Sequence, residues 1–100
     1  MSDRDAYIEK AKAKIEEWNA EIDRLQAKAH AAQADARIEY DTQLEEMRRH
    51  RDEAEARLRE AREAGDDAWS EMKAGIDAAW NTLSRSIDRA ASRLREGLDR

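Results

Sequence analysis

The chain has no cysteine, proline, phenylalanine or valine, and only three glycines among its 100 residues. Without cysteine there is no disulfide framework, thiolate metal site or thiol nucleophile. Without valine and phenylalanine, and with aromatics at 5%, too little side chain remains to cover the half-buried pleats of a sandwich or barrel. With no proline and so little glycine, almost nothing interrupts a helix. Long apolar runs are missing too. No stretch approaches the ~20 residues of a membrane span. The N-terminus Met1-Ser2-Asp3-Arg4-Asp5 is polar, with no apolar segment behind it. The expectation is a cytoplasmic protein.

Charge and alanine are what the chain has. Charged residues make up 43%, and twenty alanines supply half of the hydrophobic 40%. That composition, with helical period, belongs to long helices and coiled coils. The net charge is −5, with both signs interleaved. Interleaving describes a solvated helix surface laced with ion pairs. Residues 1–64 carry 17 acidic and 13 basic side chains, and residues 65–100 carry 7 and 6. Neither part forms a basic footprint, so nucleic acid is not an expected partner.

The apolar residues are periodic. Ile8, Ala11, Ile15, Trp18, Ile22, Leu25, Ala29, Ala32 and Ala36 follow one another at alternating steps of three and four, a heptad seam. Tyr40, Leu44 and Met47 follow through one eleven-residue stutter, and Arg51, Ala54, Leu58 and Ala61 resume the seam. Ser2 with Asp5 reads as a variant capping box. Nothing between Asp3 and Ala64 breaks a helix, so the pattern predicts one helix over 3–64, ~90 Å long. Gly65-Asp66-Asp67 is the turn. The glycine suits a left-handed residue after the helix end, and either aspartate can cap the next helix. A second, amphipathic helix follows from residue 67 to 97 or 98.

The fold class is therefore all-α: one domain, a long antiparallel coiled-coil-like hairpin. Folded back at Gly65, facing residue numbers sum to about 130 at this spacing. Leu58 meets Met72, Met47 meets Leu83, and Leu44 meets Ile87. The hairpin core is Tyr40, Leu44, Met47, Leu58, Trp69, Met72, Ile76, Trp80, Leu83, Ile87 and Leu94. Arg51, the odd charge in the seam, lands beside Trp80 for a cation–π contact. Gly75 reads as a close helix approach and Gly97 as terminal fraying.

This register leaves the arm 3–31 uncovered. Ile8, Ile15, Trp18, Ile22, Leu25, Ala29 and Ala32 would then line an exposed association stripe. A homodimer with antiparallel first helices covers it, pairing Ile15 with Arg51, Trp18 with Met47 and Ile22 with Leu44. The competing arrangement is a single-chain three-helix bundle turning near His30–Gln33, a segment without turn residues.

Little in the sequence points to chemistry. His50 shares a helix face with Glu46 and Glu53, but the spacing is Glu-x-x-x-His, not the Glu-x-x-His of bundle metal sites. Arg48, Arg49 and Arg51 flank it, so a solvated ion-paired face is the simpler reading. Ser70, Ser84, Ser86 and Ser92 have no histidine near in sequence, and the three glycines form no phosphate loop. No catalytic residue, metal, cofactor or small-molecule substrate is expected. Trp69 and Trp80 flank the apolar face of helix 2, and Arg85, Arg89 and Arg93 run at steps of four alongside Ile87 and Leu94, an edge able to lie on anionic lipid. The simpler reading packs the same face on helix 1 under the arginine stems.

Arg4-Asp5-Ala6-Tyr7-Ile8-Glu9-Lys10 and Ala13-Lys14-Ile15-Glu16-Glu17-Trp18-Asn19-Ala20-Glu21-Ile22-Asp23 resemble a family of small bacterial coiled-coil-domain proteins. Ile38-Glu39-Tyr40, Gly65-Asp66-Asp67-Ala68-Trp69 and Met72-Lys73-Ala74-Gly75-Ile76-Asp77-Ala78-Ala79-Trp80 are similar too. The resemblance implies a helical protein without catalytic motifs, some relatives being linked with stress. It carries over no functional residue. The sequence thus points to a non-enzymatic homodimeric scaffold or protein-binding element. The alternative is a peripheral lipid-surface or envelope-stress protein using the edge of helix 2.

Overall fold

Alanine, glutamate, lysine, arginine and glutamine are strong helix formers, and the chain is built mostly from them. A computed structural model describes residues 3–98 as three α-helices: α1 Asp3–His30, α2 Ala34–Glu63 and α3 Asp66–Leu98. No strand is present among the described residues. The capping box expected at Ser2 lies outside them. Asp3 and Asp5 in the first turn of α1, and Lys28 and His30 in its last, complement its dipole. Asp66 and Asp67 open α3 and Arg95 closes it.

The helices run up, down and up again. The bundle measures 52 × 19 × 17 Å, close to the length of one helix of this size. α2 packs along both neighbours, while α1 and α3 lie parallel and approach each other less closely. Their shared direction shows in the ion pairs Lys73–Asp3, at 2.9 Å, and Arg95–Glu21, at 3.3 Å.

The helix expected over 3–64 is two helices. It breaks at Ala31-Ala32-Gln33, and the arm folds back onto its own chain. Burial energy decides this. Ile15, Trp18, Ile22, Leu25 and Ala29, expected on an exposed stripe, are at most 6% exposed inside the bundle. Ile8 and Ala32 pack half-buried against them. Each large apolar side chain so covered contributes about 1.5–3 kcal/mol. Interrupting a helix forfeits a few backbone hydrogen bonds of about 1 kcal/mol net each. Four large side chains outweigh one turn.

Ala11, Tyr40, Leu44, Met47, Ala54, Leu58, Trp80, Leu83, Ile87, Ala90, Ala91 and Leu94 complete the main core. A smaller cluster of Ala61, Trp69 and Ile76 sits toward the α2–α3 turn, with Met72 half-buried beside it. Among the described residues no polar or charged side chain is buried, and Ile38 is the one large apolar residue left exposed, at 76%.

Four local expectations are corrected. Gly65 is not left-handed, since no described residue has positive φ. α2 ends through an extended Ala64 whose N–H bonds Glu60 O, and the Gly65 carbonyl accepts from Trp69 N–H, so the aspartates lie inside α3 rather than capping it. Gly75 has open space, not a close neighbour, where a Cβ would stand. Gly97 is the close approach: a Cβ there would lie 2.8 Å from Tyr40 Cε1. The Tyr40 hydroxyl donates to Gly97 O at 2.8 Å, which ties the end of α3 to α2.

Candidate functional site

Arginine clasps hold both turns. In an antiparallel bundle the first turn of one helix lies beside the last carbonyls of its neighbour. Those carbonyls lack intrahelical donors and carry the negative end of the dipole. Arg37, in the second turn of α2, reaches back to the end of α1. Its Nε donates to Ala32 O at 3.1 Å and its Nη2 to His30 O at 2.9 Å. Arg4, at the start of α1, donates through Nη1 to Ala64 O at the end of α2 and lies 4.0 Å from Asp66. Sequence reasoning missed both. The available signal was their position: a cation near a helix N-terminus opposes its own dipole and needs an acceptor elsewhere.

Beside Arg37, backbone bonds hold the first turn. Gln33 caps α2 in an extended conformation, φ −64° and ψ 151°, with no side-chain hydrogen bond. Ala31 and Ala32 donate to Lys28 O and Ala29 O at 3.2 and 3.1 Å, a tightened last turn of α1.

Four of the five aromatic residues gather toward the opposite end, and Tyr40 stands near the first turn. Tyr7 of α1 lies 5.5 Å from Trp69 and 5.8 Å from Trp80, and Trp18 lies 5.1 Å from Trp80, all tilted or edge-on. Such geometries suit the ring quadrupole. Beside Tyr7 and Trp80 a cleft of about 390 Å³ opens between α1 and α3, edged by Lys10, Asp77 and Asn81. Burial, then the negative charge of Asp77, push the Tyr7 hydroxyl up to about 12. A phenol held neutral in this way is no general base at ordinary pH.

The remaining candidates lie apart. Arg51, placed in sequence beside Trp80, instead donates to Asn19 Oδ1 of α1 at 2.9 Å and to Asp52. Trp80 takes aromatic neighbours. Among the described residues no three histidine or carboxylate side chains could hold a metal ion, so Glu46, His50 and Glu53 do not converge. The hydroxyls of Thr42, Ser70 and Thr82 donate to carbonyls four residues back, as mid-helix hydroxyls do. Arg85, Arg89 and Arg93 are exposed, but Trp69 and Trp80, their expected companions on a lipid surface, are 6% and 9% exposed in the core. No helix among the described residues is long and apolar enough to cross a membrane.

Comparison of the chain with protein-family models, with curated proteins and with solved structures gives no match.

Proposed function

We propose that this chain is a non-catalytic scaffold, a rigid helical rod that associates with a second copy of itself or holds a protein partner. One observation carries the reading. The up-down-up path puts the start of α1 and the end of α3 at opposite ends of a 52 Å bundle whose large apolar side chains, Ile38 apart, are committed inward. Such an element separates two points by a fixed distance, as a spacer must. The charged exterior, with both signs interleaved, keeps it from sticking indiscriminately. The grooves between helices are open and edged by long charged side chains such as Lys12, Glu16, Arg59 and Arg62. They suit surface contacts better than the enclosed binding of a small molecule.

Light scattering over a range of micromolar concentrations tests self-association. Growth toward twice the 11.5 kDa chain mass supports it. A constant 11.5 kDa mass removes the homodimer and leaves only partner binding.

A further inference from the structure

We propose that two copies of this chain exchange α1, with the α1–α2 turn as the hinge and Arg37 as its latch. The proposal rests on the self-association reading above and supplies its mechanism.

The hinge is three residues long, Ala31-Ala32-Gln33, and it is flanked by Ala29, Ala34 and Ala36. None is a glycine, proline, asparagine or aspartate, and none has positive φ. Alanine is the strongest helix former, and in 29–36 only His30 and Asp35 are weaker ones, so little in this segment opposes helix. Only the back-folding of α1 keeps it as a turn. Straightened, residues 3–63 form one continuous helix, and 31–33 gain the i→i−4 hydrogen bonds they lack in the turn.

Such a helix bares the α1 stripe, and a second copy can cover it without new chemistry. Inside one chain Arg51 of α2 bonds Asn19 of α1, so facing residues are placed about a point near the hinge. Two continuous helices crossing antiparallel at the hinge present the same residues to each other in that register. Ile15, Trp18, Ile22 and Leu25 of one copy then occupy, on the other, the places they hold at home. Exchange of an identical element is a low-cost route to a dimer, and a short hinge favours it. What straightening gives up is the clasp: the two bonds from Arg37 to His30 O and Ala32 O exist only when the turn is closed.

One substitution separates the two states. Ala34 is the first residue of α2, and Gln33 before it is already in the extended region that precedes proline. Ala34→Pro is therefore compatible with the turn, but it stands mid-helix in the exchanged form and breaks it. The test uses light scattering on the wild type, Ala34→Pro and Arg37→Ala. Each is also made with Glu9→Cys and Glu63→Cys in the cysteine-free chain, doubly labelled with a fluorescence-transfer pair and diluted into unlabelled protein. These exposed positions lie at adjacent helix ends in the closed bundle. They stand roughly 80 Å apart along a continuous helix. The expected result is a dimer whose labelled chains lose energy transfer. Arg37→Ala should raise its population severalfold, and Ala34→Pro should lower it by at least about a hundredfold.

Two results overturn the exchange. A dimer that keeps energy transfer and survives Ala34→Pro overturns it while leaving self-association intact. Monomers throughout, Arg37→Ala included, overturn both. If Ala34→Pro does not fold, Ala31→Gly with Ala32→Gly replaces it. Glycine disfavours the continuous helix and suits a turn, so a dimer population unchanged by this pair also overturns the proposal.

Discussion

The two turns of this bundle do the same mechanical work with different means. At the second, Gly65 separates the helices and aspartates open α3. Arg4 bonds the carbonyl of Ala64 across the gap. At the first, Ala31-Ala32-Gln33 carries no turn residue at all, and Arg37 bonds the carbonyls of His30 and Ala32. The second turn carries residues that favour a break in a helix. The first is imposed by apolar side chains far along the chain that the fold-back buries. The first turn, with no residues that favour a break, depends the more on the core it closes.

The largest test of that contrast removes what imposes the first turn. Trp18, 4% exposed and stacked near Trp80, carries much of the α1 interface. Trp18→Ala is expected to cost about 3–5 kcal/mol, a large share of the ~5–15 kcal/mol of a small domain. Hydrogen exchange should rise first across residues 29–37 and last across 61–69. Equal loosening of both turns would collapse the distinction.

The next effects are smaller and opposite in sign. Gly97→Ala sets a Cβ against the Tyr40 ring, which is fixed by its bond to Gly97 O, and should lower stability by about 1–3 kcal/mol. Gly75→Ala enters open space in mid-helix and should raise it by about 1 kcal/mol. Urea melts of the two variants, run side by side, check both signs.

The arginines come next. Each donates to carbonyls at a helix end, so Arg4→Ala and Arg37→Ala should each lower stability by about 1 kcal/mol. The sharper readout is local. Arg37→Ala should speed exchange of the Ala31 and Ala32 amides. Arg4→Ala should leave them alone, because Arg4 bonds Ala64 O at the other end of α2.

The smallest effect is invisible at neutral pH. The neutral Tyr7 phenol is favoured in the fold, so its contribution is complete below the ordinary tyrosine value of 10.0. It is lost as pH rises through about 12. Ultraviolet titration of wild type against Tyr7→Phe should resolve one late-ionising tyrosine, with alkaline melting shifted accordingly. A normal titration would mean that the aromatic end is open to water.

Much of the helix content was legible from the sequence. The steps of three and four from Ile8 to Ala36 mark one face, and that face is the buried one. The Gly65 boundary was legible because glycine and aspartate act locally. The break at 31–33 stood only as the competing arrangement, with its turn near His30–Gln33, because periodicity records which face is apolar and not whether the helix carrying it continues. The same blindness moved Arg51 from Trp80 to Asn19. The hairpin register pairs two helices, whereas α1 and α3 both pack on α2.

Composition and period by themselves determined an all-helical chain, its buried face and one of its two turns, since propensity, alternation and turn chemistry are properties of short segments. Tertiary structure alone decided that α1 folds back, that Arg4 and Arg37 clasp helix ends, and that Gly97 exists for Tyr40. Each of those depends on which residues meet across the bundle. That is settled by burying the α1 stripe, a gain no local segment can register.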